Sequence, residues 1–131
     1  MLTDNDSGNA DGLLKLSKAD GSLVASYDAP SADARGITYL DDKLWVLYYD
    51  SGDTGTPRFQ AITPSTGALS GSEVDTNCCY VEFGGLANDG DDLFVISNTK
   101  DGHAARVKSY QTNGNSADVD VQMTDQSDLV N

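Results

Sequence analysis

Twelve consecutive positions of this chain recur in kind, without a gap, later in its sequence. Gly36-Ile37-Thr38-Tyr39-Leu40-Asp41-Asp42-Lys43-Leu44-Trp45-Val46-Leu47 aligns with Gly85-Leu86-Ala87-Asn88-Asp89-Gly90-Asp91-Asp92-Leu93-Phe94-Val95-Ile96. Both copies read as a glycine, an acidic turn and a four-residue apolar run. A fixed period of roughly 20 to 50 residues marks one supersecondary unit used several times, each copy burying its apolar surface against the next. The agreement continues past these segments. At nearly the same offset, Arg58-Phe59-Gln60-Ala61-Ile62 lies over Arg106-Val107-Lys108-Ser109-Tyr110, and the turn ending at Gly67 lies over the one ending at Gly114. An earlier copy is present too: Leu13-Leu14-Lys15-Leu16 and the turn to Gly21 match Phe59 to Ile62 and the turn to Gly67. The period drifts only where loops absorb it.

Each unit reads as four strands, a to d. Strand a begins at Gly36 or Gly85, b covers Leu44 to Tyr49 or Leu93 to Ser97, c covers Phe59 to Thr63 or Val107 to Gln111, and d follows the glycine of the next turn. The b runs Leu44-Trp45-Val46-Leu47 and Leu93-Phe94-Val95-Ile96 are continuously apolar, so both their faces are expected to be buried. Asp41-Asp42 and Asp89 to Asp92 suit tight a–b hairpins. Gly21, Gly67 and Gly114 supply the positive φ that c–d turns require. Strand counting gives ten strands: c and d of a half unit over 1–34, then whole units over 35–83 and 84–131, with Met1 at the end of a strand b.

The residues resemble the blades of extracellular and periplasmic β-propellers of the NHL, SMP-30-like and quinoprotein-like kinds, through Gly-apolar, acidic turn, Leu-aromatic-Val and Thr63-Pro64-Ser65-Thr66-Gly67. The resemblance implies an all-β fold of tandem four-stranded antiparallel propeller-like blades in an incomplete ring. It also implies an extracellular or periplasmic setting, and partners that are either further copies of this chain or the remaining blades of a longer propeller. An unclosed stack of this kind leaves apolar end faces that something must cover.

Charge narrows the partners further. Asp and Glu number 21 against 8 Lys and Arg, a formal charge of −13, and only Glu73 and Glu82 are Glu. Asp bonds nearby backbone N–H groups and so serves turns and caps. Nucleic acid, which needs a basic surface, is disfavoured. No apolar run is long enough for a membrane-spanning helix, and the first residues lack the pattern of an export signal.

No catalytic constellation stands out. Asp4-Asn5-Asp6-Ser7-Gly8 begins like a calcium loop, with Asp4 and Asp6 as the Ca²⁺ ligands, but no Glu stands at its twelfth position. In the b–c loops Asp50, Asp53 and the lone His103 are candidate rim groups, joined by Tyr48 and Tyr49 at the end of strand b. Adjacent Cys78-Cys79 is open to three readings: two reduced thiols, a vicinal disulfide or a bridge between chains. Some quinoprotein propellers set a vicinal disulfide against their cofactor, so the resemblance adds a redox reading. The expected function is non-catalytic: a propeller segment for ligand or protein binding or for self-assembly. The rivals are a fragment of a metal-dependent lactonase-like or quinoprotein-like propeller enzyme and an extracellular structural repeat.

Overall fold

The computed structural model describes residues 2–3, 12–31, 33–49, 57–76, 81–99 and 106–122. These residues are all-β and form three antiparallel sheets. The first contains β1 (Leu2–Thr3), β2 (Gly12–Leu16) and β3 (Leu23–Asp28). The middle sheet runs in chain order through β4 (Ala34–Leu40), β5 (Lys43–Tyr49), β6 (Pro57–Ile62) and β7 (Leu69–Asp75). The last runs the same way through β8 (Val81–Asn88), β9 (Leu93–Thr99), β10 (Arg106–Tyr110) and β11 (Ser116–Gln122). Eleven strands are therefore described where the sequence suggests ten. The addition is β1, which pairs Leu2 with Leu13 and Thr3 with Gly12, as the end of a strand b would. Strands β4 and β8 also start ahead of Gly36 and Gly85, at Ala34 and Val81, each with a register shift before its glycine.

Turn chemistry sets the hairpins. Asp41 and Asp42 both take positive φ, 53° and 57°, which closes β4–β5 as a two-residue loop whose twist matches the strands. The β8–β9 loop is longer and holds itself together. The Asp89 carboxylate accepts the backbone N–H groups of Asp92 and Asp91 at 2.9 and 3.1 Å, and these bonds keep it below the usual carboxylate range. Gly21, Gly67 and Gly114 have φ of 74°, 73° and 89°, as the turns before β3, β7 and β11 require.

Burial in β5 follows the expectation: Trp45 to Tyr49 are all buried. Alternate residues serve opposite neighbours. Trp45 and Leu47, with Phe59 and Ala61 of β6, form one apolar cluster with Leu86, Leu93, Val95 and Tyr110 of the last sheet. Val46 and Ile62 form another with Leu13 and Ala29, against which Ile37 and Leu44 pack. The middle sheet is thus sandwiched. Edge-to-face contacts of Phe59 with Trp45 and Tyr110, at 5.7 and 5.6 Å, add about 0.5–1.5 kcal/mol each to the area buried. The corresponding run in β9 departs from the expectation. Leu93 and Val95 are buried, but Ile96 is 47% exposed, because no described sheet covers that side.

Glycine also sets how closely the sheets approach. A Cβ on Gly67 would lie 2.2 Å from the Tyr27 ring of the first sheet, and one on Gly114 would lie 2.9 Å from Val74 of the middle sheet. One on Gly36 would lie 2.7 Å from the backbone nitrogen of Leu86. Gly71 offers a control, since its φ of 78° matches the 73° of Gly67 but nothing described lies within 4 Å of its Cβ position. Both Gly67→Ala and Gly71→Ala are expected to lose about 1–2 kcal/mol to the left-handed backbone. Gly67→Ala should lose at least about 1 kcal/mol more by overpacking against Tyr27. Urea unfolding of the two variants measures the difference, and equal losses would mean that Tyr27 does not hold the turn.

Candidate functional site

Aligning the units places the residues of one face in register. Trp45 and Leu47 correspond to Phe94 and Ile96, Phe59 to Val107, and Val74 to Val121. In the middle sheet Trp45, Leu47 and Phe59 are buried and Val74 packs on the same cluster. In the last sheet Ile96, Val107 and Val121 are directly cross-strand, so they share one face. There Ile96 is 47% and Val121 53% exposed, with Phe94 and Val107 half-buried. Beside them, a Cβ on Gly85 would meet nothing described within 4 Å, whereas its counterpart Gly36 is closed off by Leu86. The last sheet therefore presents an apolar face whose equivalent in the middle sheet is core.

At the other end the first sheet turns Leu13 inward, and Leu16, cross-strand to Leu23, is exposed. Leu16 aligns with Ile62, which is fully buried. Between the first and middle sheets, Leu13, Leu14, Tyr27, Ile37, Leu44 and Pro64 line an apolar cleft of about 210 Å³. Three of them, Leu13, Ile37 and Leu44, align with Phe59, Leu86 and Leu93, which cluster with the Trp45 indole in the next interface. Across this first interface the Tyr27 hydroxyl donates to the Pro64 carbonyl at 3.2 Å. Across the second, the Asn88 side-chain amide donates to Thr38 Oγ1 and to the Tyr39 carbonyl.

Asp4, Asp6, Asp50, Asp53, Cys78, Cys79 and His103 lie outside the described residues. Tyr48 and Tyr49 are described, and they are buried, at 4% and 6% exposed. The Tyr48 hydroxyl donates to Glu73, which is also paired with Arg58 at 2.5 Å. The Tyr49 backbone is held by Asp33 and Ser31, and the Arg35 guanidinium stands 5.9 Å from its ring centre. These partners lie on neighbouring strands and loops, where local sequence does not place them. Among the described residues no group of three His, Cys, Asp or Glu side chains is placed to hold a metal ion. No described helix is long and apolar enough to cross a membrane.

Sequence reasoning sees Gly21, Gly67 and Gly114 as turn residues and misses the seats that Gly67 and Gly114 form. Their partners are Tyr27 and Val74, and Val121 lies as far beyond Val74 as Val74 lies beyond Tyr27. That equal spacing is the signal that finds them.

The Tyr49 hydroxyl is buried with no hydrogen-bond partner among the described residues, and burial pushes its pKa up to about 12. The folded chain then keeps a proton that the unfolded chain releases near pH 10, so the ionisation of Tyr49 leaves stability unchanged below pH 10 and lowers it as pH rises toward 12. Tyr49→Phe is expected to be as stable as the parent or more so at neutral pH, and to lose less stability between pH 10 and 12 in urea titrations. A neutral-pH loss of about 1–3 kcal/mol would mean that the hydroxyl is bonded.

In comparisons with known proteins, no family model, no curated protein and no solved structure matches the chain.

Proposed function

We propose that this chain is a non-catalytic β-propeller segment that acts by assembly, its last sheet receiving a further blade on the face of Phe94, Ile96, Val107 and Val121. One observation carries the reading. The aligned residues Trp45, Leu47, Phe59 and Val74 all belong to or pack on the core that the next sheet covers, while of their counterparts Ile96 and Val121 are about half exposed and Phe94 and Val107 only half-buried. An apolar face of the same strand order has the same kind of free-energy reason to be covered, at roughly 25 cal/mol per Å² of apolar surface removed from water. The three antiparallel sheets and the burial of β5 on both faces agree with a stack of blades.

Ile96→Lys tests the assignment of the face. Because Ile96 is half exposed in the single chain, the substitution is expected to change folding stability by no more than about 0.5 kcal/mol. It should weaken association at least about tenfold, read as solution mass against concentration by light scattering. Association that is unchanged by Ile96→Lys would remove this face from the function.

A further inference from the structure

Two series of contacts cross the interfaces between sheets, and each has one unmatched member at either end of the molecule. In the first, a residue of strand d sits over the turn glycine of the following sheet. Tyr27 sits over Gly67 and Val74 over Gly114. The next residue in that series is Val121, half exposed on the last sheet, and the remaining glycine is Gly21, whose Cβ position has nothing described within 4 Å. In the second series, strand c of one sheet meets strand c of the next. Leu13 shares a cluster with Ile62, and Phe59 lies edge-to-face on Tyr110. The unmatched members are Val107 of β10, which follows Leu13 and Phe59, and Leu16 of β2, which precedes Ile62 and Tyr110 and is 41% exposed. The last sheet therefore carries the outgoing half of an interface and the first sheet the incoming half, and both halves come from contacts the chain already makes internally.

Resting on the assembly reading above, we propose that the partner is a second copy of this chain, stacked head to tail. Val121 of one copy sits over Gly21 of the other, and Val107 lies against Leu16. The contact is heterologous, and each copy has both halves, so the stack continues until it closes. Three sheets from each of two copies make six, within the range of about four to eight blades over which propellers close, whereas three copies would make nine. The assembly is a two-chain ring in which each apolar end face is covered once. Gly21 has a place in it that its turn alone does not explain: any side chain there would occupy the seat of Val121.

The test uses the full chain and four variants, followed by light scattering over about a hundredfold range of concentration. The parent is expected at twice the mass of one chain, with no larger species. Asn accepts positive φ, so Gly21→Asn preserves the turn while filling the seat, and the dissociation constant should rise at least about tenfold. Gly71→Asn is the control, having a similar φ and similar open surroundings on the middle sheet, and should leave the dimer unchanged. Leu16→Asp probes the same incoming face without touching a glycine, and should weaken the dimer likewise. A parent that is monomeric throughout, or whose mass grows without limit as a filament's would, overturns the ring. A dimer lost in Ile96→Lys but kept in both Gly21→Asn and Leu16→Asp would overturn the head-to-tail pairing and leave the assembly face standing. A dimer insensitive to Ile96→Lys would overturn both.

Discussion

Strand β5 buries five consecutive residues, Trp45 to Tyr49, and a strand in an ordinary two-layer fold cannot do this. Successive side chains point to opposite faces, so Val46 and Leu47 can both be fully buried only if apolar layers lie on both sides of the sheet. The first and last sheets supply those layers, with Leu13 and Ala29 on one side and Leu86, Leu93, Val95 and Tyr110 on the other. The rest of the described structure follows from this constraint. A stack needs close approach between successive sheets, which explains why Gly36 has no room for a side chain against the Leu86 backbone. It also produces two end sheets, each with one face left over.

The turn glycines show one residue meeting two demands. Gly67 must be glycine for its φ of 73°, and it must also be glycine because Tyr27 occupies the space where a Cβ would go. Gly71, with a similar φ, meets only the first demand. Gly114 repeats the double role with Val74 as the neighbour. A turn that doubles as a seat couples hairpin geometry to the spacing between sheets, so a change in either is felt in both.

Much of this was legible in the sequence, because the repeat, the acidic hairpins and the positive-φ glycines are patterns that the residues display directly. The burial of β5 was legible from its unbroken apolar run. What could not be read was the half-exposed state of β9. Leu93-Phe94-Val95-Ile96 is as apolar as Leu44-Trp45-Val46-Leu47, and the difference between them is whether another layer is present. The candidate site was less legible. Tyr48 and Tyr49, at the end of a strand and carrying hydroxyls, read as rim residues, yet Glu73 from β7 satisfies one and the surroundings of Asp33 and Arg35 enclose the other. Tyr27 and Val74 gave no warning of their role because their significance depends on a glycine in the next unit of the repeat.

The acidic composition bears on the proposed association. Strands β3, β7 and β11 are the outer edges of their sheets, where unpaired backbone groups invite another strand. These edges carry Asp28, then Glu73 and Asp75, then Asp118 and Asp120, so an approaching copy brings like charge against like charge along the edge. The face of Phe94, Ile96, Val107 and Val121 carries no such charge, and the net −13 is screened over about 8–10 Å at physiological salt. Charge therefore opposes edge-to-edge pairing at short range while leaving face-to-face stacking open. The excess of Asp thus has two places: in the turns at Asp20 and Asp89 it serves backbone hydrogen bonding, and on the edge strands it sets like charge where another edge would pair, a repulsion that the apolar face of the last sheet does not carry.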